Sequence, residues 1–500
     1  MTSNKPPWIA TGKAPPSGAF TCYWHDDETF GRDARWARPA QFAGVRTDGD
    51  LNIIGEPLVM YCQPAMDTLP DPESCLITGI TPQQCTEQGL PEREFAKQIL
   101  ADMSVPGTCC VGFNSIRFDD EFTRHLLYRN FYDPYEREWK NGNSRWDILD
   151  VLRLMHALRP ESLQWPRSEE AEDSGRPIFK LEALTQANGL QHADAHDALS
   201  DVLATIEVAR KMKQVQPKLF AYALTLRDKR EVAKLIDLAS HKPVFHVSSK
   251  LNWRHGYAAL MMPLCPHPTN SNGVICYDLS VDPQPLLQLS SNDIAERVFV
   301  KEEDLPMGEA RVPLKTIHLN KSPMVANLSV LEPAVAVRLQ IDRAQCEAHW
   351  QLIMKRIDEV CGKVSDVMGR DTWQDKVGIP DPEFRLYSGF LSPKDKSLCE
   401  QVRRCSGEDL AVRSFPFADT RLTELLFRYR ARHFPETLSD DEQHLWEEFR
   451  FGRLNEKLCE GYIDLETYHS KIAELKARPE LDTKSQRVLA DLESWAEQIL

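Results

Sequence analysis

The chain has 500 residues, 42% of them hydrophobic and 27% charged, with a formal net charge of −15. That length is too great for one core, so about two to four domains are expected, and no apolar run approaches membrane-spanning length. The acidic balance excludes a general polyanion binder, but it leaves room for nucleic acid held in a local basic groove and through bound metal ions.

Residues 1–19 carry Pro6, Pro7, Pro15 and Pro16 without an apolar signal core, and are expected to be a disordered leader and not a targeting peptide. The thirteen cysteines are scattered without C-x-x-C spacing, and only Cys109 and Cys110 are close in sequence. That is the pattern of reduced core thiols, which predicts a cytoplasmic protein.

The first strand spans Phe20 to Phe30 and ends in Asp26-Asp27-Glu28. Side chains alternate along a strand, so Asp26 and Glu28 share one face and Asp27 takes the other. Two like charges side by side cost free energy unless a cation lies between them. Next, Phe42–Asp48 and Leu51–Ile54 are predicted to pair as a hairpin across Asp48-Gly49-Asp50, and Leu58–Cys62 reads as a third strand. Three successive strands predict a mixed sheet with an antiparallel side. A helix follows Thr81 as N-cap and Pro82 at its first position, and residues 93–103 form another.

Thr108–Phe113 is predicted to be a buried strand running into a helix whose first turn carries Asp119. Ligands bind beyond the carboxyl ends of strands in open α/β sheets, although a carboxylate there also serves as a plain helix cap. Tyr128 to Trp146 mixes aromatic and basic residues, Arg145 among them. Such a stretch suits stacking on unpaired bases and holding phosphates, or packing around an irregular loop. Phe179-Lys180-Leu181-Glu182 opens another helix. In His192-Ala-Asp-Ala-His196-Asp197, followed by apolar residues at 199, 202, 203, 206 and 209, a helix begins near Asp197. It presents Asp201 one turn in, with His196 just ahead of it. Asp197 shares a face with Asp201 and competes for the same role; we read it as the cap.

From Pro217, two helical pieces lead into short strands at 244–247, 257–264, 274–278, 298–300 and 315–319, which predict a small barrel or curled sheet. From Gln340 to Leu500 the periodicity is helical. Within that region Phe427 to Phe434 is the densest basic-aromatic run, and its Arg428, Arg430 and Arg432 are read as a phosphate-contacting face. Cations at a helix C-terminus are the plainer alternative.

Four carboxylates are what a pair of hard divalent ions needs, and two such ions serve an in-line phosphoryl displacement. A histidine beside them suits a general base, since the side chain ordinarily titrates near neutral pH. Asp26-x-Glu28, Asn114-x-x-x-Phe118-Asp119 and His196-x-x-x-x-Asp201, in that order, resemble the DEDDh group of 3′-to-5′ exonucleases. Within that group His25 to Gly31, Arg38-Pro-Ala-Gln-Phe42, Leu76 to Pro82, Tyr128 to Tyr135 and Asn320-Lys321 resemble the bacterial exonuclease I family.

The resemblance implies an α/β architecture: a ribonuclease H-like exonuclease domain with a mixed sheet (20–210), a Src-homology-3-like β domain with flanking helices (217–374) and a helical C-terminal domain (377–500). It implies Asp26, Glu28, Asp119 and Asp201 as ligands of two Mg²⁺ ions, with Mn²⁺ as a substitute, and His196 as the base. It also implies a single-strand-specific deoxyribonuclease acting 3′ to 5′ in repair and recombination, releasing 5′-mononucleotides. Glu28, Lys180, Arg145 and the three arginines at 428, 430 and 432 would meet the substrate. Lys180 stands where an arginine is expected, and a lysine offers a point charge in place of a bidentate fork. The implied partners are single-stranded DNA and the acidic C-terminal tail of single-stranded-DNA-binding protein, with a monomeric chain and no membrane. An enzyme acting on short RNA and a non-catalytic single-strand binder are the alternatives; the long C-terminal regions oppose the first and the complete carboxylate set the second.

Overall fold

The computed structural model describes residues 20–170, 173–192, 196–300, 304–370, 381–479 and 481–500, so the expected leader lies outside it. The chain divides into two compact units. One comprises Met1–Ser144, His192–Ile206 and Val377–Leu500; the other comprises Arg145–Gln191 and Glu207–Lys376.

The first unit is built on strands β1 (Thr21–Thr29), β2 (Pro39–Thr47), β3 (Leu58–Tyr61) and β4 (Thr108–Gly112), and the sheet that holds them, which includes β5 (Ser144–Asp147), runs β3-β2-β1-β4-β5. β1 pairs antiparallel with β2 and parallel with β4, which makes the sheet mixed as expected. β1 and β2 are buried almost throughout, so both faces of the sheet are covered and the strands carry apolar residues on each. The hairpin predicted after β2 is reduced to one bridge, Thr47 to Ile53; on the side away from β1, the antiparallel neighbour of β2 is β3. The Thr81 cap holds: its hydroxyl accepts from the Gln84 N–H and Pro82 opens the helix Pro82–Gln88.

A buried ion network fastens the C-terminal helices of this unit. Glu383 is fully buried and is met by Arg432 at 2.6 Å, Arg38 at 2.8 Å, Arg453 at 3.3 Å and Arg428 at 3.4 Å. Burial works to raise its carboxyl, but these arginines, Arg432 foremost, hold it well below the usual range. Asp67, also fully buried, takes both forks of Arg432 at 2.7 and 3.0 Å. Arg430 donates to Glu442 at 2.7 Å.

In the second unit, β6 (Val244–Val247), β7 (Ala258–Pro266), β8 (Gly273–Asp278), β9 (Leu314–His318) and β10 (Met324–Ala326) form an antiparallel sheet ordered β10-β6-β7-β8-β9. The strand predicted at 298–300 is wrong. Ser290 and Asp293 form a capping box that starts the helix Ser291–Val298 instead. All thirteen cysteines are free thiols, ten of them buried. Among the described residues no helix is long and apolar enough to cross a membrane.

Candidate active site

The site grows from the end of β1. Pairing with β2 sets Asp26 opposite Ala43 and Glu28 opposite Gln41, and the register breaks between Glu28 and Thr29. β4 runs alongside and ends at Gly112, where an added Cβ would lie 2.6 Å from the Ser115 Cβ and 2.9 Å from the His25 carbonyl oxygen. Only glycine lets the chain turn so close to β1. Asn114 then adopts a left-handed conformation (φ 67°), and one 3₁₀ turn, Ser115–Arg117, leads to the helix Asp119–Arg129. Asp119 is buried at the first position of that helix but does not cap it. Its Oδ1 accepts the backbone N–H of Asp27 at 2.9 Å, which fixes the carboxylate against β1.

The third contribution is the helix Ala198–Val215. Asp197 caps it, as read from the sequence: its Oδ1 accepts the Ser200 N–H at 3.1 Å. Gln41 anchors the same helix start by donating to Asp197 Oδ2 and accepting from the Ala198 N–H, both at 3.2 Å. Gln41 belongs to the Arg38-Pro-Ala-Gln-Phe42 motif, but no spacing rule marks its role. Asp201 then points back at β1. Donor atoms of Glu28, His196 and Asp201 lie within 4.8 Å of one another, and so do those of His25, Asp27 and Asp119.

Electrostatics express the crowding. Burial first, then Asp119, Glu28 and Asp201, drives the Asp26 carboxyl well above its ordinary range. Glu28 is pushed up to about 8 by burial and by Asp201, Asp119 and Asp197. Asp201 is raised by burial, against the opposing effect of His192. Asp26, Glu28 and Asp201 are raised, and Asp119 is among the charges that raise Asp26 and Glu28. Carboxylates crowded in this way are a set that wants cations, and carboxylate oxygens suit hard divalent ions.

Asp27 faces the other way and is 6% exposed; its Oδ2 is buried without a hydrogen-bond partner. Burial and Asp119 raise it strongly while Arg137 opposes. His196 is exposed, with a left-handed backbone (φ 67°), at the brink of the Asp201 helix. His192 was missed from the sequence. Its Nε2 lies 2.5 Å from Asp201 Oδ1.

The structure corrects part of the DNA-contact set. Arg428, Arg430 and Arg432 do not form a phosphate-facing surface: Arg428 and Arg430 are 3% and 7% exposed, the Arg432 side chain is 9% exposed, and all three are spent on carboxylates. Arg145 is likewise buried, its Nη2 3.4 Å from the Asn320 carbonyl oxygen within the second unit. Lys180, just ahead of the helix Leu181–Ala187, is exposed.

Comparison with known proteins agrees with this geometry. Residues 23–209 match the exonuclease family model, 227–370 the exonuclease I SH3-like domain and 380–499 the exonuclease I C-terminal domain. Exodeoxyribonuclease I of Haemophilus influenzae is 44% identical over 448 residues, covering 89% of this chain and 93% of that protein. The chain belongs to the exodeoxyribonuclease I family. The Escherichia coli exodeoxyribonuclease I is also 44% identical, over 89% of this chain and 92% of its own length. Among solved structures, exonuclease I from Methylocaldum szegediense superposes with a TM-score of 0.91 at 49% identity, covering 96% of this chain and all of that one. E. coli exonuclease I in complex with a dA16 oligonucleotide superposes with a TM-score of 0.90 at 41% identity, covering 96% of this chain and 100% of that one. The architecture of an exonuclease domain, an SH3-like domain and a helical C-terminal region is therefore that of the family.

Proposed function

We propose that this exonuclease degrades single-stranded DNA from its 3′ end to 5′-mononucleotides, in DNA repair and recombination. The observation that carries the reading is the crowding of four carboxylates: Asp119, Glu28 and Asp201 all act to raise buried Asp26, Asp201 and Asp119 act to raise Glu28, and donor atoms of Glu28, His196 and Asp201 lie within 4.8 Å of one another. Asp26, Glu28, Asp119 and Asp201 would hold two divalent ions, Mg²⁺ in the cell with Mn²⁺ able to replace it. The ions supply charge neutralisation and electrostatic stabilisation of the phosphoryl oxygens.

The chain does the rest. Asp119, tied to the Asp27 N–H, and Asp201, on the first turn of a rigid helix, fix the geometry. His196, exposed and within reach of Glu28 and Asp201, takes the proton of the attacking water. Glu28 would also meet the substrate, and exposed Lys180 would offer a cation to its backbone. Matches that fall on 23–209, 227–370 and 380–499 support dividing the chain near the expected boundaries. A relative has been crystallised as "SSB/Exonuclease I", which supports single-stranded-DNA-binding protein as a partner; docking through that protein's acidic tail, a monomeric chain and a cytoplasmic location complete the proposal. Digestion of a labelled single strand, the same sequence as RNA and a blunt duplex, each with Mg²⁺ or a chelator, tests the reading. Mononucleotides should come from the DNA single strand alone and only with metal; equal digestion of RNA would overturn the substrate assignment.

A further inference from the structure

We propose that His192 is a positioning residue for the metal-binding carboxylate Asp201, distinct from the base His196; this rests on the functional reading above. His192 Nε2 lies 2.5 Å from Asp201 Oδ1, and the two side chains are only 7% and 17% exposed. A nitrogen that close to a carboxylate oxygen is committed to a hydrogen bond with it, so this nitrogen is not open to an attacking water. His196 is exposed on a left-handed residue and keeps the freedom a base needs.

Two histidines therefore address one carboxylate in different ways. The His192 side chain engages Oδ1, and with the His196 backbone N–H it limits rotation of the Asp201 group. Without the His192 contact, the carboxylate of a residue on the first helical turn is held by fewer partners and must be ordered further each time an ion binds. Partners of metal ligands typically matter by 10–100-fold in metal affinity or activity.

Mn²⁺ binding to the whole protein without DNA, followed by the loss of the free-ion EPR signal, tests this apart from turnover. His192→Phe keeps the bulk and removes the donor, and should weaken binding about 10–100-fold. His192→Gln restores an N–H donor and should recover most of it. His196→Ala should bind Mn²⁺ close to wild type. In single-strand digestion, His192→Phe should raise the half-saturating Mn²⁺ concentration by the same factor, with kcat largely recovered at saturation, whereas His196→Ala should lose kcat that no metal concentration restores. Unchanged Mn²⁺ affinity in His192→Phe, or equal defects in the Phe and Gln variants, would overturn the proposal. A wild-type chain that bound no Mn²⁺ would overturn the functional reading itself.

Discussion

Glu28→Gln should make the metal-free protein more stable at alkaline pH while destroying its activity. The Glu28 carboxyl lies at about 8 against an ordinary 4.5, because burial strips its water and Asp201, Asp119 and Asp197 repel its charge. The gap corresponds to about 5 kcal/mol. The folded chain binds this proton more tightly than the unfolded chain does. The resulting stability is complete below about pH 4.5 and is lost as pH rises through about 8. Glutamine has the same shape and no charge to lose, so the variant should escape that loss. Urea unfolding in a chelator at pH 5 and pH 8.5 measures it. Wild type should lose several kcal/mol between the two pH values and fall below the variant at the higher one, while the variant changes much less. Mn²⁺ should narrow the difference, because a ligand at about 100 times its Kd adds roughly 2.7 kcal/mol to the state that binds it. Wild type and Glu28→Gln losing stability in parallel between the two pH values would refute the reasoning.

Asp201→Asn should abolish nucleotide release in a folded protein that still binds single strands, whereas Asp197→Asn, which touches only a cap and the Gln41 contact, should keep most of its rate; steady-state digestion of labelled DNA separates them. His196→Ala should cost roughly two to four decades of single-turnover rate. Arg432→Ala leaves Asp67 and Glu383 short of a buried partner, so it should destabilise the first unit by about 3–5 kcal/mol in urea unfolding, with single-strand affinity at low temperature nearly unchanged.

Much of the site was legible in the sequence because its geometry is local. The i, i+2 spacing of Asp26 and Glu28 on a strand, and Asp201 one turn into an amphipathic helix, follow from the periods of strand and helix alone. What escaped depends on contacts remote in sequence. The Phe427 to Phe434 run has the composition of a nucleic-acid surface, and the acids that bury its arginines, Asp67 and Glu383, lie outside any local window. His192 stands nine residues ahead of Asp201, at no spacing that helix or strand geometry singles out, and only the fold brings it to the carboxylate. Val298 to Val300 looked like a strand because β-branched and aromatic residues outweighed a capping box that lay just upstream. β10 is three residues long, too short to carry a period.

Release of label from a single DNA strand marked at one end or the other tests the central claim most directly. With Mg²⁺, a label on the 3′-terminal nucleotide should leave at once as a 5′-mononucleotide, while a label at the 5′ end should persist on a shortening strand. Early release from the 5′ end, products bearing a 3′-phosphate, or undiminished release in chelator or in Asp26→Ala would contradict it.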